Sequence, residues 1–283
     1  MIKDKEKLKR VGELLKKSVF KFLSNEGSIG KTIFTLTTVG VLEENSIKSV
    51  KFACDHSRQD LVTAYGSYSK GELEEIQDPA KGVGYVDSRT EADQLINNLS
   101  LYEDNLIIED HKAGSLDEQK EIYPSARSYV KTYERARRIL WYFIPVATAD
   151  KSLDSINVVA DTFRGVNTND TVQFVFILNK GMMYAKGGKK EIESVMRAYD
   201  NSEAVGELKA TGNVYEIVMD AQLSENMVSV LKNTPKSKFQ TLQKEKKMNL
   251  FDYDIILEHF EIYEDQLYGI FEKYLSKRNK VKE

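Results

Sequence analysis

Two apolar patterns alternate along the chain. Short runs of apolar and β-branched residues recur at 18–23 (SVFKFL), 49–54 (SVKFAC), 83–86 (VGYV), 105–110 (NLIIED), 139–146 (ILWYFIPV), 172–178 (VQFVFIL) and 214–219 (VYEIVM), and they read as strands. The run 139–146 has no polar residue, so it is expected inside the sheet. Between these runs the apolar residues fall three or four apart, the spacing of one helix face. Leu8, Val11, Leu14 and Leu15 mark a helix over 1–17, and Ile33, Phe34, Val39 and Leu42 one over 31–43. Leu95, Ile96 and Leu99 mark 91–99, while Tyr123, Tyr129, Val130 and Tyr133 mark a charged helical stretch in 117–138. Further helices are expected over 148–163, 187–199 and 220–231. Phe260, Tyr263, Leu267, Ile270 and Phe271 form a stripe in 249–275. Residues 66–82, with Pro79, read as a loop, and 232–248, Lys-rich with Pro235, as a flexible basic connector.

Strands alternating with helices imply an α/β fold: a single doubly wound, mainly parallel sheet with helices on both faces. In such a sheet all strands end on one edge, and ligands bind there. Composition narrows the class further. The chain has 283 residues, 41% of them hydrophobic and 10% aromatic, as in a folded protein with a substantial core. Charged residues make up 30%, but the net charge is only −3, so nothing global calls for nucleic acid, although a local patch can. A single cysteine, Cys54, excludes an intrachain disulfide and suits a reducing compartment. No apolar run is long enough to span a bilayer, and MIKDKEKLKR lacks the apolar core of a signal peptide, so the expected location is the cytoplasm.

The candidate chemistry sits at strand ends. After the first strand comes Ser24-Asn25-Glu26-Gly27-Ser28-Ile29-Gly30-Lys31-Thr32, a small-residue loop that opens a helix. Unpaired amides at a helix start favour an anion, and glycines let the backbone curl around it. Gly27, Ser28, Ile29, Gly30, Lys31, Thr32 and Ile33 are therefore the candidate phosphate cradle. Lys31 is placed to neutralise phosphate charge and the Thr32 hydroxyl to hold Mg²⁺. The match to G-x-x-x-x-G-K-[ST] is imperfect because Asn25 stands at the first glycine position, though Asn tolerates left-handed backbone. Asp55 ends the second strand and Asp110 the strand at 105–110, where an acid can orient water or hold Mg²⁺ through water. For Asp55, capping the following turn is an equal alternative. Glu109 is expected to point to the other face from Asp110. Asn179 and Lys180 end the strand at 172–178, where Asn can hydrogen-bond a purine base. Gly181 and Met182 follow, without the Asp that reads guanine in GTPases, which favours ATP.

These residues resemble the ParA/MinD group of P-loop ATPases, and within it the StbB-like plasmid-stability proteins. The resemblance is carried by GSIGKT (27–32), the strand ending at Asp55, IIEDHKAG (107–114) and VFILNKG (175–181), and in layout it spans 18–220. It implies bound ATP and Mg²⁺, nucleotide-dependent homodimers, and a role in segregating or maintaining a DNA element. A DNA-binding adaptor, or DNA itself through the basic segments, would be the partner. By the same resemblance Lys31 and Thr32 take phosphate and Mg²⁺, Asp55 positions the attacking water, Asp110 is the switch acid and Asn179 contacts the base. That group usually carries a second lysine early in the loop. Glu26 stands there, which removes activation across a dimer and points to slow hydrolysis or a nucleotide switch. The chain then divides into a helix (1–17), a nucleotide-binding domain (18–231), the basic connector (232–248) and a helical end (249–283). Two other readings stand beside this one. One is an ATP-dependent small-molecule ligase resembling dethiobiotin synthetase. The other is a degenerate P-loop interaction module.

Overall fold

A computed structural model describes residues 5–25, 30–55, 59–88, 90–115, 125–168 and 170–280. In chain order the strands are β1 (Ser18–Phe22), β2 (Ser49–Cys54), β3 (Tyr68–Ser69), β4 (Glu72–Leu73), β5 (Val83–Tyr85), β6 (Leu106–His111), β7 (Ile139–Val146), β8 (Val172–Asn179) and β9 (Val214–Met219). The helices are α1 (Lys5–Lys16), α2 (Lys31–Glu44), α3 (Asp60–Tyr65), α4 (Ala92–Leu101), α5 (Ala126–Arg135), α6 (Lys151–Phe163), α7 (Lys180–Asp200), α8 (Glu203–Ala210), α9 (Glu225–Asn233), α10 (Phe239–Lys244) and α11 (Leu250–Lys280). Seven strands make one sheet in the order β5-β2-β6-β1-β7-β8-β9, and every pairing in it is parallel. This is the α/β architecture that the alternating pattern implies.

Parallel strands are buried on both faces, and the alternation along β1 shows how the sheet divides its side chains. Phe20 and Phe22 join a core with α1, α2, α3, α9, α10 and α11. Val19 and Leu23 join a second core with α4, α5, α6, α7 and α8. From β1 the chain moves to one side through α2, and from β7 it moves to the other through α6 and then α7. Oppositely directed crossovers leave a crevice beyond the strand ends at the sheet's centre.

Helix α2 is buried along nearly its whole length, from Thr32 to Leu42. Its threonines are β-branched and polar, a poor recipe for an interior helix unless each hydroxyl is satisfied. They are satisfied: Thr35, Thr37 and Thr38 donate to the carbonyls of Lys31, Ile33 and Phe34. Tyr263 of α11 hydrogen-bonds the Thr38 hydroxyl at 2.7 Å, which locks the last long helix onto α2. At the other end of the strands, buried Arg138 donates to the carbonyls of Lys16, Leu99, Tyr102 and Asn105. One guanidinium thereby ties the ends of α1 and α4 to the starts of β6 and β7.

The structure departs from the sequence reading in four places. Residues 66–82 are not all loop, because β3 and β4 form a small antiparallel hairpin within them. Helix α7 starts at Lys180 rather than Gly187; Gly187 and Gly188 instead break it, with Gly188 at φ 66. Residues 220–224 are not helical and α9 starts at Glu225, with Ser224 as its N-cap. Residues 232–248 are not a flexible connector. They hold the end of α9, a 3₁₀ turn at Lys236–Lys238 and α10, and they anchor Phe239 and Met248 in the core. Two apolar anchors in a Lys-rich stretch fix it, while Lys238, Lys244, Lys246 and Lys247 remain at the surface. In α1, Val11, Leu14 and Leu15 are buried in the core, so this helix packs on its own chain. The Leu8 side chain and Tyr123 lie outside the described residues. No helix among the described residues is long and apolar enough to cross a membrane.

Candidate functional site

The candidate site is a cavity of ≈ 560 Å³ at the sheet edge where β1, β2, β6 and β8 end. That volume is in the range of small-molecule and cofactor sites. Gly30, Lys31, Thr32 and Ile33 line it from the start of α2, Asp55 from the end of β2, and Asn179 from the end of β8. The start of α2 and the residues that follow β2, β6 and β8 thus reach one cavity because parallel strands all end on the same side.

The start of α2 is built for an anion. Gly30 precedes the helix in left-handed backbone at φ 99, and no side chain caps the first turn. The first intrahelical bond runs from Phe34 N to Gly30 O, so the amides of Lys31, Thr32 and Ile33 have no acceptor within the helix. Those amides and the positive helix end favour negative charge at the cavity. Gly30 is required by space as well as by backbone conformation. A Cβ there would lie 2.9 Å from Asn179 Nδ2 and 3.2 Å from the Phe34 ring. Gly181 plays the matching part on the opposite wall, where a Cβ would meet the Ala221 carbonyl oxygen at 2.0 Å. The start of α7 can therefore lie directly against the loop at 220–223.

Asp110 faces the same side as α2. Its Oδ1 lies 3.4 Å from Lys31 Nζ and 3.2 Å from the Thr35 hydroxyl oxygen. Both partners keep about a tenth of their side-chain surface exposed (10% and 9%), so the pair sits at the cavity rather than sealed beneath it. Lys112 and Lys232 add cations to the lining, and Lys232 bridges to Asp60 at 2.9 Å. The loop before α2 is held at its start, where Asn25 N donates to Ser155 of α6 at 2.8 Å. Gly114 N donates to the Ser24 carbonyl, joining the loops that follow β1 and β6.

One residue earlier on β6, Glu109 points to the other face, as alternation requires. There it pairs with Lys21 Nζ at 3.0 Å and accepts from His111 Nε2 at 2.7 Å, with all three side chains almost fully buried. Burial raises the Glu109 carboxyl, but Lys21 and the hydrogen bond from His111 outweigh it and leave it below its ordinary value. Burial lowers His111, which stays neutral and donates through Nε2. Lys21 Nζ also lies 5.7 and 5.8 Å from the ring centres of Tyr129 and Tyr133. The burial that lowers His111 also pushes up the nearby Cys54 thiol.

The structure brings together most of the residues singled out from sequence. Lys31, Thr32, Ile33, Gly30, Asp55 and Asn179 line the cavity, and Asp110 contacts Lys31. Asn179 also caps α7, with its Oδ1 accepting from Met182 N at 3.2 Å. Lys180 is not among the lining residues; its Nζ lies 3.9 Å from Asp220. Glu26, Gly27, Ser28 and Ile29 lie outside the described residues, as do His56, Ser57 and Arg58. Sequence reasoning missed the apolar part of the cavity, formed by Phe34, Met182, Leu223, Val228 and His259. Phe34 and Met182 adjoin the motifs and were within reach. His259 stands in an ordinary amphipathic helix, and no local pattern marks it.

No protein-family model and no curated protein matches the chain. Among solved structures, it is similar to the MinC:MinD cell division protein complex of Aquifex aeolicus. The TM-score is 0.45 and the identity 12%, over 89% of this chain and 96% of that one. A likeness this weak carries no argument, and the fold stands on the sheet itself.

Proposed function

We propose that the chain is an ATP-binding switch protein of the ParA/MinD type, slow in hydrolysis, that dimerises with nucleotide and serves segregation or maintenance of a DNA element. The observation that carries this reading is the start of α2. Three amides without helical acceptors, Lys31 and the positive helix end converge on one cavity, with Asp110 across the sheet at 3.4 Å from Lys31. A triphosphate would exchange the Lys31–Asp110 contact for phosphate oxygens, leaving Asp110 to respond to the nucleotide.

Mg²⁺ fits the donor set. Thr32, Asp55 and Asp110 offer only oxygen, which suits a hard cation. No group of three or more His, Cys, Asp or Glu side chains that could hold a metal occurs among the described residues, so phosphate and water would complete the shell. Bound there, the metal would neutralise charge at the phosphates, Lys31 would bind and orient them, and Asp55 would orient a water. The exposed lysines of 236–247 are the candidate surface for DNA or a DNA-binding adaptor, and binding through them should weaken steeply with added salt.

Titration of a fluorescent ATP analogue with Mg²⁺, read alongside light scattering, tests the proposal. The expected result is binding by the wild type with a nucleotide-dependent doubling of mass, and loss of both in Lys31→Ala. Binding without a change of mass overturns the switch and turns attention to a small-molecule enzyme. No binding to the wild type overturns the nucleotide reading itself.

A further inference from the structure

Seven large apolar side chains are exposed among the described residues, and five of them fall in two short stretches of opposite charge. One stretch is the β3–β4 hairpin and the residues after it, where everything from 68 to 76 is exposed. Tyr68, Leu73 and Ile76 stand there among Glu72, Glu74 and Glu75, and Lys70 is the only cation in 68–76. The other stretch is the turn from α10 into α11. Leu250 and Phe251 are 60% and 72% exposed there. The exposed Lys238, Lys244, Lys246 and Lys247 precede them, and Glu245 is the only acid between 236 and 251. Both stretches are held in shape. Gln77 accepts from Ser67 N at 2.7 Å and donates to the carbonyls of Ser67 and Glu74, which closes the base of the hairpin. At the turn, Phe239 and Met248 are buried in the core, and Lys247 N donates to the Leu242 carbonyl at 2.9 Å. Apolar residues scattered singly on a surface need no explanation, but groups of them rimmed by charge mark a contact.

We propose that these two surfaces bind each other between copies of the chain: the acidic hairpin of one copy docks on the basic α10–α11 turn of another. Charge complementarity points to this partner. Duplex DNA would take the lysines, but it would leave Leu250 and Phe251 uncovered and would repel the hairpin. An anionic bilayer would take the lysines and Phe251, and it would repel the hairpin as well. A second copy satisfies both surfaces with one kind of contact. Carboxylates meet ammonium groups at the rim, while Tyr68, Leu73 and Ile76 meet Leu250 and Phe251 at the centre, as in an apolar interface core within a polar rim. Both patches are small, so the contact is weak and reversible, and it tightens as salt is removed. It needs no nucleotide. It covers the same lysines that the reading above offers to DNA or an adaptor, so self-association and that binding exclude each other.

Sedimentation equilibrium without nucleotide tests the proposal, in about 0.01 M salt, where charges act over about 30 Å, and again in about 0.15 M. The mass of the wild type should rise with concentration above the 32.3 kDa of one chain, and rise less at the higher salt. Glu74→Lys with Glu75→Lys, and Lys244→Glu with Lys247→Glu, should each weaken self-association by about tenfold or more, because like charges then face each other. An equimolar mixture of the two variants should associate again, since each hairpin then finds a turn of opposite charge. Phe251→Ser should weaken association by about tenfold at both salt concentrations. All five positions are exposed, so these variants keep the fold. A wild type that stays at one chain at every concentration overturns the proposal. So do reversed variants that associate like the wild type, or a mixture that stays dissociated. If the wild type stays single and binds a DNA duplex or phosphatidylglycerol vesicles, and the Lys244→Glu, Lys247→Glu variant does not, the turn belongs to that ligand instead. Lys31→Ala should assemble as the wild type does, so failure of this proposal and failure of the nucleotide reading are told apart.

Discussion

Glu109 and Asp110 are consecutive acids on one strand, each paired with a lysine, and they live in different worlds. Glu109 is sealed against Lys21 and His111 on one face of the sheet. Asp110 meets Lys31 at the cavity on the other face, with a longer contact and some exposure left. Strand alternation alone makes that division. The sealed cluster has nowhere to send its charge, so its members are fixed partners. The pair at the cavity holds Lys31 loosely enough for an anion to compete. Two similar ion pairs, one residue apart, thus differ in whether a ligand in the cavity can reach them.

The largest expected effect comes from breaking the sealed cluster. Lys21→Met strands the Glu109 carboxylate in the core and should cost about 3–5 kcal/mol in urea unfolding. Adding Glu109→Gln should recover a large part of that loss. A single-variant cost below about 1 kcal/mol would show that the cluster is not sealed.

Acid comes next. The folded-state pKa of His259 is about 4, below its ordinary value near 6.5, so the neutral form contributes stability above pH 6.5 that is lost as pH falls towards 4. The shift corresponds to about 3 kcal/mol, and His111, also lowered by burial, acts in the same direction. Unfolding midpoints measured from pH 7 to pH 4 should fall, and fall less in His259→Gln. A flat profile would contradict the buried, neutral assignment.

Gly181→Ala should cost about 2 kcal/mol or more, because the new Cβ meets the Ala221 carbonyl rather than a yielding side chain. Its nucleotide affinity should fall too, since α7 and the loop at 220–223 would part. The smallest effect on stability should be Lys31→Ala. The pair is only 10% and 9% exposed, but it borders a cavity that water can enter, so its loss is expected to cost about 1–2 kcal/mol in unfolding. That small change, beside the large cost of Lys21→Met, is the sharpest form of the comparison.

The strands were legible because parallel strands covered on both faces must be apolar at nearly every position, as ILWYFIPV is. The polar site residues were legible for a related reason: Asp55, Asp110 and Asn179 interrupt or follow apolar runs where strands end. Helix α2 was legible despite its threonines, although the reason they are tolerated, back-bonding to preceding carbonyls, needs the structure. The stretch 232–248 misled because Phe239 and Met248 are isolated apolar residues among lysines, and only tertiary packing shows that they anchor it. His259 was beyond sequence altogether. It meets Thr37 across 222 residues, and that contact exists only because α11 packs along α2.

The most direct test of the central claim is calorimetric titration of Mg²⁺–ATP into the wild type and Lys31→Ala, at matched folded fractions. The expected result is measurable binding to the wild type and a loss of about a hundredfold or more in the variant, equivalent to about 3 kcal/mol of lost charge-assisted contact. Equal affinities for the two proteins, or no heat with either, would contradict the claim that the start of α2 binds a nucleotide.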